Sequence, residues 1–222
     1  MVMSTVEASE RSVMPTYRVI GKRAGRDPDL IRGLDITFAL IALVLLSPVL
    51  ALIALGVRAQ DGGAAVFRQQ RIGRDGRMFD CLKFRSMRID AESRLSALVG
   101  GEWNTARKLR NDPRVTRFGR ILRTTSLDEL PQLINVLRGE MSLVGPRPIV
   151  VDETMRYGRR LADYCAVRPG LTGLWQVSGR NDVPYPRRVA MDVWLVRNLT
   201  VRVYLAILAH TIPAVLSRKG VY

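Results

Sequence analysis

One histidine occurs in 222 residues, His210, and it sits inside the apolar run 205–216. A histidine so placed reads as packed or interfacial, which leaves no base for a Ser-His or Cys-His pair. Cysteine is nearly as scarce. Cys81 and Cys165 lack C-x-x-C partners, which excludes a disulfide framework and a zinc cluster and predicts reduced thiols in a cytosolic setting. Neither a Walker A sequence nor a G-x-G-x-x-G fingerprint is present, so a nucleotide is not held in those standard ways. Acidic side chains number 20 against 35 Lys plus Arg, a formal net charge of +15. That excess points to an anionic partner: nucleic acid, an anionic membrane surface or a phosphorylated substrate. Aromatics make up only 6%, and no RRM-like or helix-turn-helix pattern interleaves them with the basic residues, which argues against nucleic acid. Any acid–base chemistry falls to carboxylates or lysines.

What is present is enough to fold. Apolar residues reach 47%, too many for a disordered basic tail, and the length suits one sizeable domain. Residues 36–57 form a run without charge, ITFALIALVLLSPVLALIALGV. As a straight helix it spans roughly 33 Å, enough for a bilayer core. Ser47-Pro48 interrupts it. Proline removes a backbone donor and kinks a helix, and the Ser47 hydroxyl can partner the freed carbonyl. Basic flanks favour the cytoplasmic side, and here both are basic: Arg18, Lys22, Arg23, Arg26 and Arg32 before the run, Arg58, Arg68, Arg71, Arg74 and Arg77 after it. A helix that enters, turns at Ser47-Pro48 and leaves by the same face satisfies both. A kinked single span and a buried soluble helix are the alternatives. A signal peptide fits less well, because the run is too long and a mostly polar stretch precedes it. The chain thus divides into a flexible cytosolic arm (1–33), a re-entrant membrane hairpin (34–60) and a cytosolic catalytic domain (61–222).

Residues 65–72 and 78–87 flank Gly73-Arg-Asp-Gly76 and read as a β-hairpin. Residues 91–98 and 102–110 read as short helices around Gly100-Gly101, and Asp112-Pro113 as a helix start. Leu130, Leu133, Ile134 and Leu137 make one apolar helix face, closed by Gly139. Val144-Gly-Pro-Arg-Pro148 is a stiff extended loop, 152–164 a helix, and 168–186 a Gly/Pro-rich loop. Residues 187–216 read as helical with a break at Pro213. The apolar part, 203–216, is too short to span. It either lies in the membrane interface, with Trp194 and Tyr204 at headgroup depth and Arg197 and Arg202 facing phosphates, or packs as an ordinary core helix. The fold class is α+β and helix-rich: a re-entrant membrane helix-hairpin plus a compact cytosolic domain with a small β-hairpin and interfacial amphipathic helices. The oligomeric state stays open, a homo-oligomer included.

The chemistry concentrates in Arg123-Thr-Thr-Ser-Leu-Asp-Glu-Leu-Pro-Gln132. Ser126-x-x-Glu129 has the form of a capping box, and carboxylates at a helix start offset its dipole. The same start holds Asp128 ionised, which suits a nucleophile or a metal ligand. With Asp128 as the cap, Pro131 falls where no intrahelical donor is lost. Neighbouring helix residues point about 100° apart, so adjacent carboxylates suit divided roles. Lys83 and Arg85, two apart on a strand, share a face and could hold a diphosphate. Arg114, Arg117, Arg120 and Arg123 form a basic band. Arg147 is clamped between two prolines, and Arg180-Asn181 closes a Gly-rich loop with donors suited to a nucleotide or phosphate.

Four stretches together resemble a known family. They are Lys83-Phe-Arg-Ser-Met87, Leu122-Arg-Thr-Thr-Ser-Leu-Asp-Glu-Leu-Pro-Gln-Leu133, Arg138-Gly-Glu-Met-Ser-Leu-Val-Gly-Pro-Arg-Pro148 and Arg168-Pro-Gly-Leu-Thr-Gly-Leu-Trp-Gln-Val-Ser-Gly-Arg-Asn181. In this order, after a Ser-Pro-broken apolar segment, they resemble the bacterial sugar transferases, the monotopic polyprenyl-phosphate hexose-1-phosphate transferases. Within these the chain looks most like the undecaprenyl-phosphate galactose phosphotransferases that initiate succinoglycan-type exopolysaccharide. The resemblance implies a UDP-sugar and undecaprenyl phosphate as substrates, magnesium as cofactor, membrane lipids as surroundings, and the cytoplasmic face of the bacterial inner membrane as location. It implies Asp128 as a nucleophile that carries a phosphosugar after UMP leaves, and Glu129 as the second member of a dyad tied to magnesium. Arg123, Arg147 and Arg180 fall in motifs associated with phosphate and nucleotide binding; Lys83, Arg85 and Asn181 are carried over with them. UDP-glucose or an acetamido sugar is an alternative donor. A non-enzymatic basic membrane module is the rival from another class. It accounts for the charge and the anchor but not for Leu-Asp-Glu-Leu-Pro or Pro-Arg-Pro.

Overall fold

The computed structural model describes residues 28–91, 93 and 112–217. Most of the arm at 1–33, nearly all of the helix expected at 91–98, and the one at 102–110 lie outside the described residues. Helix α1, Pro28–Asp61, is one hydrogen-bonded helix with Pro48 inside. Pro48 leaves the Val44 carbonyl without its usual partner, and the Ser47 hydroxyl donates to that carbonyl at 2.8 Å, as expected.

Both ends of α1 pack on the same globular body. Near its start, Ile31 and Ala39 enter the main core with Leu133, Val136, Leu143 and Tyr204. Arg32 donates to the carbonyls of Val136 and Leu137 at 2.7 and 3.0 Å. Asp35, buried, accepts through Oδ1 from Ser142 Oγ, Leu143 N and Tyr204 OH at 2.9, 2.8 and 2.9 Å. Near its end, Ile53 and Val57 pack with Phe84 and Leu122. Between these anchors Leu40, Ile41, Val44, Leu45, Val49 and Leu52 stand exposed. A contiguous apolar surface of this kind marks a contact with membrane or protein, because water solvates it poorly.

Strands β1 (Val66–Ile72) and β2 (Met78–Phe84) pair antiparallel, with Phe67 opposite Lys83 and Arg71 opposite Phe79. The hairpin closes through Arg74–Gly76, where Asp75 and Gly76 take the left-handed backbone a tight turn needs. Helix α2 is Arg117–Thr124, capped by Thr116, whose hydroxyl accepts from Gly119 N at 2.8 Å. Asp112-Pro113 therefore does not start it. Asp112 instead pairs with buried Arg114 at 2.7 Å. The basic band is divided: Arg114 turns inward, while Arg117 and Arg120 are exposed.

Helix α3, Gln132–Arg138, ends at Gly139 with φ +81°, as expected. Its buried face is not the expected one. Gln132, Leu133, Asn135 and Val136 are buried and Ile134 is exposed. The reason is polar. Asn135 accepts from Leu82 N at 3.0 Å and donates to Asp80 O and Glu140 Oε2, which rivets α3 to β2. Apolar periodicity cannot detect a buried amide.

Two short strands depart from the loop reading. β3 (Ser142–Val144) pairs parallel with β4 (Gly170–Thr172). The glycines there serve close backbone approach: a Cβ on Gly145 would stand 2.6 Å from Arg168 O. Between these strands, the segment expected as one helix at 152–164 is split at Gly158 (φ +51°) into α4 (Thr154–Tyr157) and α5 (Leu161–Cys165). A short helix α6, Leu174–Ser178, also interrupts the expected loop. The final helical region is two helices, α7 (Tyr185–Asn198) and α8 (Val201–Ser217), and Pro213 lies within the second. Trp194 is half exposed, but Tyr204 is fully buried on Asp35 rather than at headgroup depth. Arg197 pairs with Asp163 at 3.1 Å, Arg202 is exposed, and His210 is an exposed residue bonded to its own helix at Ala206 O. Cys81 and Cys165 are buried free thiols.

Candidate active site

The two carboxylates do not cap a helix. Leu127–Glu129 is a single 3-10 turn entered through Ser126 at φ +58°, and Ser126 makes no side-chain cap. Pro131, not Asp128 or Ser126, is the residue that precedes α3. The capping box is therefore not formed, and the helix does not supply the charge stabilisation expected for Asp128. The left-handed Ser126 turns the chain into the 3-10 turn that carries both acids.

Glu129 is the neutralised member. Lys83 Nζ lies 2.8 Å and an Arg147 Nη 3.6 Å from its Oε1. Burial opposes its charge, but Lys83 and Arg147 outweigh burial and hold its carboxyl well below the usual range. Asp128 is 9% exposed, and its carboxylate receives no hydrogen bond from the described residues. Burial, and then the Glu129 charge, push it up to about 6, with Lys83, Arg123 and Arg147 acting against them. One acid is thus ion-paired and its carboxyl lowered, while the other makes no hydrogen bond or ion pair among the described residues and is raised toward neutral pH.

Lys83 reaches Glu129 because β2 places Phe79, Cys81 and Lys83 on one face by strand alternation, with Phe67, Gln69 and Arg71 of β1 opposite them. Arg85 does not share that site. The strand ends at Phe84, and Arg85 turns to the end of α1, where it donates to both oxygens of Asp61 at 2.6 and 2.5 Å and to Ala64 O at 2.7 Å. That fork lowers Asp61 to about 2, its hydrogen bonds from Arg85 being the main cause. The structure separates the expected Lys83–Arg85 pair.

Arg147 is held as its flanking prolines suggested, with added bonds from both sides. Pro146 O accepts from Gly170 N at 2.7 Å, and Pro148 O accepts from an Arg71 Nη at 2.9 Å. Arg123 donates through Nε to Ser86 Oγ at 2.8 Å, and its charge acts on Asp128. Arg180, at φ +52°, lies close enough for Glu129 to act on it. Asn181 sits beside it, its carbonyl accepting from Arg188 at 2.8 Å.

A pocket joins Lys83, Glu129 and Arg147; Arg71, Cys81, Gln132, Pro148, Gly170, Leu171 and Gln176 complete its lining. In the sequence, Arg71 reads only as a membrane-flanking charge, and Gln132 and Gln176 carry no signal of their own. Strand alternation from Lys83 through Cys81, with its cross-strand neighbours, was the available signal for Arg71. Nothing local marks the glutamines apart from their place in the motifs. In a divalent-cation site, the uncommitted Asp128 carboxylate and Glu129 Oε2 would be the protein's oxygens. The Lys83 and Arg147 contacts of Glu129 both fall on Oε1. Among the described residues no third His, Cys, Asp or Glu joins them, which fits magnesium shared with a substrate's phosphates.

A family model described as bacterial sugar transferase matches residues 29–218. The undecaprenyl-phosphate galactose phosphotransferase of Salmonella typhimurium is 46% identical over 226 residues, covering 99% of this chain and 47% of its own length. The exopolysaccharide production protein ExoY of Rhizobium meliloti is 48% identical over 197 residues, covering 86% of this chain and 87% of its own length. The UDP-glucose:undecaprenyl-phosphate glucose-1-phosphate transferase of Caulobacter vibrioides is 40% identical over 199 residues, with 86% and 71% covered. The chain spans just under half the length of several relatives, among them those of Haemophilus, Salmonella and Erwinia. With the match running through every motif that builds the site, the chain belongs to the bacterial sugar transferase family.

Proposed function

We propose that the protein transfers a hexose-1-phosphate from a UDP-sugar to undecaprenyl phosphate, the first membrane step of exopolysaccharide synthesis. The observation that carries this reading is the unpaired, buried Asp128 beside a Glu129 already neutralised by Lys83 and Arg147. An oxygen of the Asp128 carboxylate attacks the phosphorus that bears the sugar. The bond from that phosphorus to the bridging oxygen breaks, and UMP leaves with its electron pair. A phosphate oxygen of undecaprenyl phosphate then attacks the same phosphorus. The acyl-phosphate bond breaks, Asp128 recovers its carboxylate, and undecaprenyl diphosphate-sugar departs. Such chemistry needs positioning and charge neutralisation more than a strong base, and Lys83, Arg123, Arg147 and Arg180 meet that need around the two acids. Magnesium, held by Asp128 and Glu129, would neutralise phosphate charge further.

Galactose is the donor sugar in this reading, supported by the relatives named for galactose. The relative named for glucose keeps UDP-glucose as the alternative, with acetamido sugars behind it. Helix α1 is re-entrant in this reading. A globular body lies on one side of a bilayer, and both ends of α1 pack on one body while its middle is exposed and apolar. The site then faces the cytoplasm at the inner membrane, where a lipid phosphate and a soluble nucleotide meet.

The test is UMP release from a panel of UDP-sugars with magnesium and undecaprenyl phosphate. Without lipid acceptor, sugar-labelled donor leaves label on the peptide containing Asp128 and none in Asp128→Asn. Label on Glu129, or an obligatory ternary complex in steady-state kinetics, overturns the assignment.

A further inference from the structure

We infer that Gln132 and Gln176 form a neutral hydrogen-bonding subsite beside the Lys83–Glu129–Arg147 cluster, one that reads an uncharged part of the substrate presenting a donor next to an acceptor. The inference rests on the proposed UDP-sugar chemistry. Gln132 opens α3 and is 2% exposed, yet its Nε2 has no hydrogen-bond partner among the described residues. Gln176, on α6, donates through Nε2 to Leu171 O at 3.1 Å. That bond orients the amide and leaves Oε1, buried and without a partner among the described residues, as an acceptor. Both side chains line the pocket that holds Lys83, Glu129 and Arg147.

Buried polar groups are almost always bonded, because an unmade hydrogen bond costs the full desolvation of the group. Here an unspent donor and an unspent acceptor face one pocket from two different helices. If packing were their task, leucine or methionine would serve each position better. Their lack of charge matters as well. The cations of the site suit a diphosphate, whereas a neutral amide pair discriminates by hydrogen-bond pattern. Two parts of a UDP-sugar carry the complementary pattern: the uracil edge, with a carbonyl beside N3–H, and the sugar hydroxyls.

The experiment compares the full-length membrane protein with Gln132→Leu and Gln176→Leu. Three quantities are read: the melting temperature without ligand, the Kd for UMP by calorimetry, and KM with kcat for UDP-galactose and UDP-glucose. The variants should melt at or above the wild-type temperature, since each loses an unpaired buried amide. Each should weaken one ligand arm about 3- to 10-fold, the ratio expected for one neutral hydrogen bond. Weaker UMP binding, matched by weak binding of 3-methyl-UMP to the wild type, assigns the amides to the base. Unchanged UMP binding with a raised KM and an altered galactose-to-glucose ratio assigns them to the sugar. Unchanged Kd and KM in both variants overturns the subsite. So does a lowered melting temperature with unchanged KM, which marks the amides as structural. Absence of UMP release by the wild type from every UDP-sugar strikes the transferase reading instead, and the UMP-binding arm still decides the amides.

Discussion

Lys83 Nζ lies 2.8 Å from Glu129 Oε1, while among the described residues no comparable contact reaches the adjacent Asp128. One lysine on a strand thereby makes two neighbouring acids unequal. Removing it should cost more than a positive charge. In Lys83→Met, Glu129 loses its main counter-charge and Asp128 loses one of the cations opposing its upward shift. Turnover should fall by about 100-fold or more, and the acid limb of the pH–rate profile should move to higher pH. An unmoved limb would show that Lys83 does not set the charge of the acids. Arg147→Lys, which keeps charge but loses the planar fork, should also lose activity of about 10-fold or more.

The titration of Asp128 gives activity and stability opposite signs. A nucleophilic carboxylate must be ionised, so UMP release should be full well above pH 6 and fall about tenfold per unit below it. A carboxyl raised in the folded state binds its proton more tightly there than in the unfolded chain. Its contribution to stability is therefore fully present below the unfolded value of 3.8 and is lost as pH rises through about 6. Asp128→Asn removes that penalty. It should abolish turnover yet raise stability at pH 8 by on the order of 2 kcal/mol, a gain of several degrees that vanishes below about pH 4. Scanning calorimetry at pH 4 and pH 8 reads the difference. A less stable Asn variant at pH 8 would contradict the burial argument.

Arg85 and Asp61 form a joint between the end of α1 and the hairpin, away from the Lys83 cluster. Arg85→Ala and Asp61→Ala should lower the melting temperature alike, and the double variant should be little worse than either, since both break one fork. KM for the UDP-sugar should hold within about threefold, a span worth under 1 kcal/mol. A KM rise confined to Arg85→Ala would return Arg85 to substrate binding.

The proline in α1 sets a topological test. Cysteines placed before residue 33 and after residue 60 should resist a periplasmic thiol reagent, whereas labelling on one side only would indicate a span. Pro48→Ala restores the donor for Val44 O and removes the proline that favours a bend, so it should increase the labelled fraction on one side.

Much of this was legible locally. The Ser47 hydroxyl reaching the carbonyl freed by Pro48, the hairpin turn at Asp75-Gly76 and the Gly139 helix stop are short-range events, and composition and spacing determine them. The acid pair and the clamped Arg147 were likewise visible as residue types in sequence. Tertiary structure alone decided how they divide. Lys83 lies far from Glu129 along the chain, and only hairpin register and the left-handed Ser126 bring them together. The same holds for Arg85, which alternation would aim at the site but which the end of β2 releases to Asp61. It holds for Asp35, Asn135 and Gln132, polar residues whose burial no hydropathy pattern announces. Local backbone preference acts over a few residues, so it writes turns and caps into the sequence. The charge state of a buried acid depends on what the rest of the chain packs around it, and that is settled only when the fold closes.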